Sequence, residues 1–203
     1  MITRMAACPV LLCWLLVPAF SQTNGKVQKE TTSDSAGLFA GPLTVETLEA
    51  FSVADGGSNL DCTVLNSTTT CNGQGPGLVV AGVDFIFSSG GQWNGAHYFG
   101  SPSKEISSNG RPLTIDFSTP VTIFGLDLRA YAGYSATATV TIYGLDDTTI
   151  IGTLSPVYLS GTGGPIRVGW QDDAGIGKIV LTQTGQSWSR SSTTWNSRRR
   201  PRS

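Results

Sequence analysis

The sequence predicts an all-β protein, specifically an antiparallel, jelly-roll-like β-sandwich of about eight or nine strands. Residues 112–145 alternate apolar and polar side chains, are rich in β-branched residues, and are divided by short turn sequences. The 25 glycines and the 13% of charged residues are typical of a turn-rich β-protein. Helical periodicity does not extend beyond about two turns anywhere, so the sequence provides no element for a helical layer.

The strands are spaced along one domain, which we assign to residues 43–187. They are predicted at residues 44–53, 78–88, 96–99, 113–117, 121–128, 137–144, 149–154, 165–170 and 176–184. Residues 55–77 are interpreted as a long polar loop and residues 89–94 as a glycine-rich turn. Two alternatives stay open: Glu46 and Glu49 permit a short helix in the first segment, and residues 105–107 permit a brief extra strand.

The segment 113–128 predicts the facing of its side chains. Leu113, Ile115 and Phe117 should point to one side, and Thr114 and Asp116 to the other. Proline cannot donate to a sheet ladder, so the Thr-Pro pair at 119–120 is expected to turn the chain between two strands. The glycine at position 125 indicates a bulge or a close approach of backbones.

Both ends of the chain lie outside the predicted domain. Residues 1–21 have the pattern of a secretory signal peptide, with Arg4 before an apolar run and a small-x-small cleavage site ending at Ser21. The apolar run at residues 10–17 is too short to span a membrane. We therefore expect a secreted, extracellular protein without a membrane span after cleavage. A flexible lead-in is expected at residues 22–42 and a disordered basic tail at residues 188–203.

Cleavage would leave two cysteines, Cys62 and Cys71, which are expected to form one structural disulfide in an exported chain. The residues between them include no histidine and no carboxylate, so the pair does not resemble a metal site. A bridge this short closes a loop and does not connect two sheets, which argues against an immunoglobulin-like sandwich.

The formal net charge of −1 conceals an uneven distribution. Five of the 13 basic residues lie in the last 14 positions, and the remaining chain is clearly acidic. An acidic body argues against a nucleic-acid partner.

The element order from Leu113 to the T-V-T-I strand, the Asp146-Asp147 turn and the I-G-K-I-V-L strand at 176–181 resembles secreted bacterial β-sandwich proteins. Many of these proteins end in a PEP-CTERM sorting tail. The resemblance covers about residues 46–186 and is carried by alternation patterns. It implies the sandwich fold and a closing strand similar to S-P-I-I-D-N-L-E-F.

At the place of that closing strand, residues 189–197 are S-R-S-S-T-T-W-N-S. They can be encoded by TCC-CGA-TCA-TCG-ACA-ACC-TGG-AAT-TCG, and one additional C after the first codon changes the translation to S-P-I-I-D-N-L-E-F. We therefore hypothesise that the tail from about Arg190 is a frameshift product, so that the basic residues 198–202 have no selected function. The alternative is a genuine basic tail that binds anionic surfaces. Resequencing of the locus decides between them.

Aromatic residues near loops are the candidate ligand contacts, because aromatic faces beside polar groups can stack on sugar rings. The candidate residues are Trp93, His97, Tyr98, Tyr131, Tyr134 and Trp170. The alternative is that Trp93 and Trp170 cap the ends of the core. His97 is the only histidine and has no nucleophile motif such as G-x-S-x-G to support a catalytic role, so no catalytic residue is assigned.

The positions of the aspartates in the sequence indicate structural roles more than catalytic or metal-binding ones. Asp146 and Asp147 are interpreted as turn residues, and Asp116 and Asp127 as outward positions on strands. Asp172 and Asp173 are candidate calcium ligands, although an EF-hand pattern is lacking. No other cofactor is expected.

Three classes of function remain. The first is a non-catalytic module that binds glycans or a cell-surface polymer, which the aromatic loops favour. The second is a structural extracellular or envelope protein without a small-molecule ligand. The third is a small glycan-active hydrolase, which would need two carboxylates close together in a cleft. We expect the first, and therefore no enzyme.

Overall fold

A computed structural model of the chain describes residues 26–29, 44–46, 48–50, 52–71, 74–77, 79–94, 104–108, 110–130, 133–162, 165–184 and 194–199. The strands are β1 (Lys26–Lys29), β2 (Thr44–Glu46), β3 (Ser58–Leu65), β4 (Val83–Asn94), β5 (Glu105–Ser107), β6 (Leu113–Leu128), β7 (Ser135–Tyr143), β8 (Ile150–Ser160), β9 (Ile166–Thr184) and β10 (Thr194–Arg199). The described residues contain no helix, which confirms the all-β prediction. A helix long and apolar enough to cross a membrane is therefore not found among them.

All pairings between the described strands are antiparallel, as predicted. The main path of hydrogen-bonded neighbours runs β2-β10-β6-β9-β7-β8. Beside this path, β1 pairs with β9, β4 pairs with β6, and β3 and β5 both pair with β4. β6 and β9 therefore lie at the centre of the sheet, and β8 lies at one end of the path.

β6 is a long strand whose two halves have different neighbours. Its residues 113–116 pair with β4 and with the C-terminal half of β9, whereas residues 121–128 pair with β10 and with the N-terminal half of β9. The register shifts between the two halves, where Pro120 lacks the N–H that a regular ladder requires. The turn expected at this proline is therefore a shift of register inside one strand.

Other strand boundaries also differ from the expectation. The two strands predicted at residues 165–170 and 176–184 are continuous as β9, with Gly175 at a positive φ of 108° between them. Gly125 does not mark a bulge, since the register from Ile123 to Leu128 is regular. The additional strand considered at 105–107 is present as β5. The first predicted strand, 44–53, is shorter than expected, since β2 ends at Glu46.

Three strands form where loop or disorder was expected. β3 lies inside the predicted loop at 55–77, and residues 89–94, predicted as a turn, continue β4. β1 lies in the predicted flexible lead-in and pairs with β9, while β10 lies in the predicted disordered tail and pairs with β6 and β2. The described residues contain ten strands, because β1, β3, β5 and β10 are additional while two pairs of predicted strands are continuous as β6 and β9; the strand predicted at 96–99 lies outside the described residues.

The hydrophobic core lies on the inward side of these strands. Leu113, Ile115 and Phe117 are buried and Thr114 and Asp116 are only partly buried, which confirms the predicted alternation. The largest fully buried side chains are Phe85, Phe124, Leu48, Leu65, Ile106, Leu113, Ile115, Leu126 and Leu128. Burial of a side chain of this size contributes about 1.5–3 kcal/mol to the hydrophobic stabilisation of the fold.

The disulfide between Cys62 and Cys71 is present, as predicted, with 5.9 Å between the two Cα atoms. Asn66 organises the loop that the bridge closes. Its Oδ1 accepts hydrogen bonds from the backbone N–H groups of Thr68 and Thr69, at 3.0 and 2.9 Å, and from both threonine hydroxyls. The bridge and this turn together hold the segment after β3 in one conformation.

Candidate functional site

The six predicted ligand contacts do not form one described cluster. His97, Tyr98 and Tyr131 lie outside the described residues. Trp93 lies in β4, where its backbone is opposite Asn59 of β3 and Ile106 of β5. The side chains of Tyr134 and Trp170 are described, and they have different surroundings.

Trp170 packs against the hydrophobic core. It lies opposite Phe124 of β6 and is partly buried. Its ring covers Gly152 of β8 so closely that a Cβ atom added to that glycine would be 2.5 Å from two ring atoms. Trp170 therefore contributes to the packing of the core within β9.

Tyr134 is 40% exposed and immediately precedes β7. Its carbonyl oxygen accepts a hydrogen bond of 2.7 Å from the N–H of Gly161, which follows β8. Tyr158 of β8 is 73% exposed and lies opposite Thr137. Both tyrosines therefore lie at the same end of the β7–β8 ribbon, away from the hairpin that connects the two strands.

The two calcium candidates do not converge with further ligands in the described part of the chain. Asp172 Oδ1 accepts a hydrogen bond of 2.8 Å from the backbone N–H of Ala174, the local contact that an aspartate makes in a turn. The described residues contain no group of three or more histidine, cysteine, aspartate or glutamate side chains that could hold a metal ion.

Two carboxylates are engaged in structural contacts. Asp127 forms an ion pair with Arg167 across β6 and β9, and the Arg167 Nε donates to Asp127 Oδ1 at 2.6 Å. Glu46 accepts hydrogen bonds of 2.7 Å from the backbone N–H groups of Leu48 and Val80. Both carboxylates stabilise the fold, because each is partly or fully buried with good donors.

The outward side of the large sheet is rich in threonine. β7 alternates strictly, with Ala136, Ala138, Val140 and Ile142 buried, so the intervening threonines lie on the opposite side. Residues opposite each other in neighbouring strands share a side, which adds the threonines of β6, β8 and β9 that lie in register. We call this surface the threonine face; it consists of Thr114, Thr137, Thr139, Thr141, Thr153, Thr182 and Thr184.

The threonine face is an ordered array. Thr137 and Thr139 of β7 lie opposite Thr184 and Thr182 of β9, and Thr141 lies opposite Thr153 of β8. Neighbouring strands are about 4.8 Å apart, and successive outward residues of a strand are about 6.8 Å apart. Each threonine hydroxyl can both donate and accept a hydrogen bond, so the array presents uncharged hydrogen-bonding groups at regular intervals.

A row of charged side chains borders the threonine face. Asp84 of β4 lies opposite Asp116 of β6, which lies opposite Lys178 of β9, which lies opposite Tyr143 of β7. Each of these residues is two positions from the next outward residue of the same strand, so the row lies directly beside the array. We call Asp84, Asp116, Lys178 and the nearby Asp147 the acidic border.

The hairpin between β7 and β8 places Asp147 at this border. Lys178 Nζ donates a hydrogen bond to the carbonyl oxygen of Asp147 and lies 4.7 Å from the centre of the Tyr143 ring. Gly177 permits the close approach, because a Cβ atom there would lie 2.7 Å from the Gly144 carbonyl oxygen and would also meet the Asp147 carboxylate. The hairpin therefore packs onto β9 at a position where only glycine fits.

Electrostatics distinguish Asp116 from an ordinary surface aspartate. Burial raises its pKa above 3.8, and the carboxylates of Asp147 and Asp84 raise it further. The backbone N–H of Phe117 and the ammonium group of Lys178 oppose this shift. When ionised, the border contains three carboxylates and one ammonium group and is therefore negative.

The sequence contains a pattern that indicates part of the threonine face, although the aromatic residues were chosen as the candidate contacts. Thr137, Thr139 and Thr141 alternate in T-A-T-V-T-I, and Thr182 and Thr184 alternate in L-T-Q-T. This alternation predicts that each set shares one side of its strand. It does not predict that the two strands are neighbours in register, which the fold alone determines.

Comparisons with known protein families and with characterised proteins found no match for this chain. Its function is therefore inferred from the arrangement of its own side chains.

Proposed function

We propose that this chain is a secreted, non-catalytic β-sandwich protein that binds carbohydrate or another surface polymer through the threonine face. One observation carries the proposal, namely the array of uncharged hydroxyl groups in register on neighbouring strands. Polymers of sugars present hydroxyl groups at regular intervals, and each can pair with a group that donates and accepts. Tyr158, 73% exposed beside the array, supplies an aromatic surface for stacking.

A sandwich of two sheets is part of this proposal. The change of partners along β6 and β9 supports it, since each strand contributes one half to one set of neighbours and the other half to a second set. Strands that continue from one sheet into another are typical of packed β-sheets with bends or bulges at the corner. The buried side chains of both halves belong to one hydrophobic cluster, as the interior of a sandwich requires.

The aromatic residues of the loops extend the proposed site. Trp93, His97, Tyr98, Tyr131 and Tyr134 remain the proposed additional contacts. A contact between two described residues supports this extension, because Arg129 after β6 lies 3.7 Å from Glu105 at the start of β5. In the sequence, Tyr131 follows Arg129 by two positions, and the segment between β4 and β5 contains His97 and Tyr98.

The test is binding of the secreted protein to an array of polysaccharides. We expect a variant with Thr139→Ala, Thr182→Ala and Tyr158→Ala to bind at least about tenfold more weakly than wild type. A net hydrogen bond contributes about 1 kcal/mol and a factor of ten corresponds to about 1.4 kcal/mol. Thr63→Ala is the matched control, since Thr63 is an exposed threonine of β3 outside the face.

Unchanged binding of the triple variant would reject the threonine face as the site. A wild-type protein that binds no polymer of the array would instead favour a structural extracellular role. Folding of each variant is checked by its urea unfolding midpoint, because outward substitutions should change stability by no more than about 0.5 kcal/mol each.

A second function, a small glycan-active hydrolase, is favoured by one specific observation. Asp84 and Asp116 lie directly opposite each other, and the pKa of Asp116 is raised as a general acid would require. Release of reducing ends from the same polysaccharides separates the two functions. Our proposal predicts no release, whereas release by wild type that is lost in Asp116→Asn would establish the hydrolase.

A further inference from the structure

We infer that the ligand of the threonine face is a neutral polysaccharide and that Asp84 and Asp116 exclude anionic polymers from it. This inference rests on the proposed function and names the ligand class and two specificity-determining residues. The supporting observation is that the acidic border lies directly beside the hydroxyl array.

The border is close enough to act on a bound polymer. Asp116 and Thr114 are successive outward residues of β6, so their Cα atoms are about 6.8 Å apart. Lys178 and Val180 have the same relation on β9, as do Tyr143 and Thr141 on β7. This separation is less than the Debye length of about 8 Å at physiological ionic strength, so salt does not fully screen the carboxylates from the first part of the face.

The charges of the border do not cancel. Lys178 is the one described cation in the row, and its ammonium group is held by the Asp147 carbonyl and the Tyr143 ring. Asp84 and Asp116 lie side by side, an arrangement of like charges that destabilises a cross-strand pair. Such a pair is unfavourable for the fold. The two carboxylates also repel a carboxylate or sulfate group that a ligand brings to the face.

The array itself is complementary to a neutral chain. Its seven threonines and the interspersed Val180 and Ser155 are uncharged, and the Thr139 hydroxyl lies 2.7 Å from the Ser155 hydroxyl. Tyr158 lies at the end of the array remote from the border, since Thr137, its neighbour on β7, is six residues from Tyr143. Attraction at one end and repulsion of anions at the other together define a neutral polyol as the occupant.

The experiment compares neutral polymers (cellulose, xylan and mannan) with anionic ones (polygalacturonate and alginate) on one array. Wild type, Asp84→Asn/Asp116→Asn and the control Asp55→Asn/Asp173→Asn are measured in parallel. The control removes two exposed carboxylates outside the face. The asparagines keep the size of the side chains and remove only the charges.

We expect wild type to prefer neutral polymers, and the border variant to bind anionic polymers about fivefold more tightly than wild type does. Two charges acting at about 7 Å in unscreened water correspond to about sevenfold, and salt lowers that gain. Binding of neutral polymers should change by less than about twofold, and at about 1 M salt the difference between the proteins should disappear, because the Debye length falls to about 3 Å. The control should behave as wild type.

Two results would overturn the inference alone. They are wild-type binding of anionic polymers as tight as that of neutral ones, and a border variant whose preference equals that of wild type. Absence of wild-type binding to every polymer would overturn the proposed function together with the inference. The two failures are therefore distinguishable in one experiment.

Discussion

Asp116 and Asp127 are carboxylates of the same strand, and each lies opposite a basic residue of β9. Asp127 receives two hydrogen bonds from the guanidinium group of Arg167. Asp116 lies opposite Lys178, but that ammonium group donates to the carbonyl oxygen of Asp147. Two cross-strand pairs of the same type, an aspartate of β6 opposite a basic residue of β9, therefore differ. In one half of β6 the pair is hydrogen-bonded, and in the other half the carboxylate is incompletely neutralised.

The second neighbour of each aspartate explains the difference. The backbone of Asp127 lies opposite that of Thr194 of β10, whereas Asp116 lies opposite a second carboxylate, Asp84 of β4. A planar guanidinium group matches a carboxylate in two hydrogen bonds, while an ammonium group acts as a single point charge that is easily shared. Asp127 therefore serves the fold, and Asp116 gives the outer surface its negative border.

The largest effect is expected where the ion pair is broken. Asp127→Ala should destabilise the protein by about 3 kcal/mol, because it leaves the buried Arg167 side chain without its carboxylate. Urea unfolding measures the loss. The double variant Asp127→Ala/Arg167→Met should be more stable than the single one, since no buried charge remains. A loss of less than about 1 kcal/mol in Asp127→Ala would contradict the structural role of the pair.

A comparable loss is expected from the same half of β9 at Trp170. Trp170→Ala should destabilise by about 3 kcal/mol, because the ring packs on the core and on Gly152. Tyr158→Ala is the matched aromatic control on the outer side, with an expected change within about 0.5 kcal/mol. Equal losses in the two variants would show that the outer aromatic residue is also structural.

The smallest effect is the pH dependence of Asp116, which sharpens the contrast with Asp127. Burial and the carboxylates of Asp147 and Asp84 raise the pKa of Asp116 above 3.8, so the folded state holds its proton more tightly than the unfolded state does. Its unfavourable contribution at neutral pH is relieved as the pH falls through the raised pKa. Asp116→Asn should therefore be more stable than wild type at about pH 7, with a difference that shrinks towards about pH 4.

Urea unfolding of both proteins across this pH range measures the difference. Thr114→Ala, two residues away on the same side of β6, is the control and should show no such trend relative to wild type. A stability difference that stays constant or grows as the pH falls would contradict the assigned direction of the shift.

Strands were predicted correctly where apolar and polar residues alternate regularly in the sequence. The inward positions of β6 and the apolar positions of β7 were readable because each alternates with a period of two. β3 was missed although Leu60, Cys62 and Val64 alternate, because the polar residues around them are also typical of loops. β1 and β10 carry no such pattern, and they form by pairing with β9 and β6.

The candidate site was less predictable than the fold. Trp170 was predicted as a ligand contact because it is aromatic and close to polar residues in the sequence. In the structure it packs against the core. Thr139 and Thr182 are 43 positions apart and become neighbours only through the pairing of β7 with β9. Asp84 and Asp116 become neighbours in the same way through β4 and β6. Long-range register decides which side chains form a surface, and local patterns do not encode that register.

The most direct test of the threonine face is an NMR titration of protein carrying 13C-labelled threonine methyl groups with a soluble neutral oligosaccharide prepared from the polymer that binds on the array. We expect shifts at the seven threonines of the face, strongest near Thr137, Thr139 and Thr182, with Thr63 and Thr68 unchanged. Shifts confined to threonines outside the face, with binding intact, would contradict it.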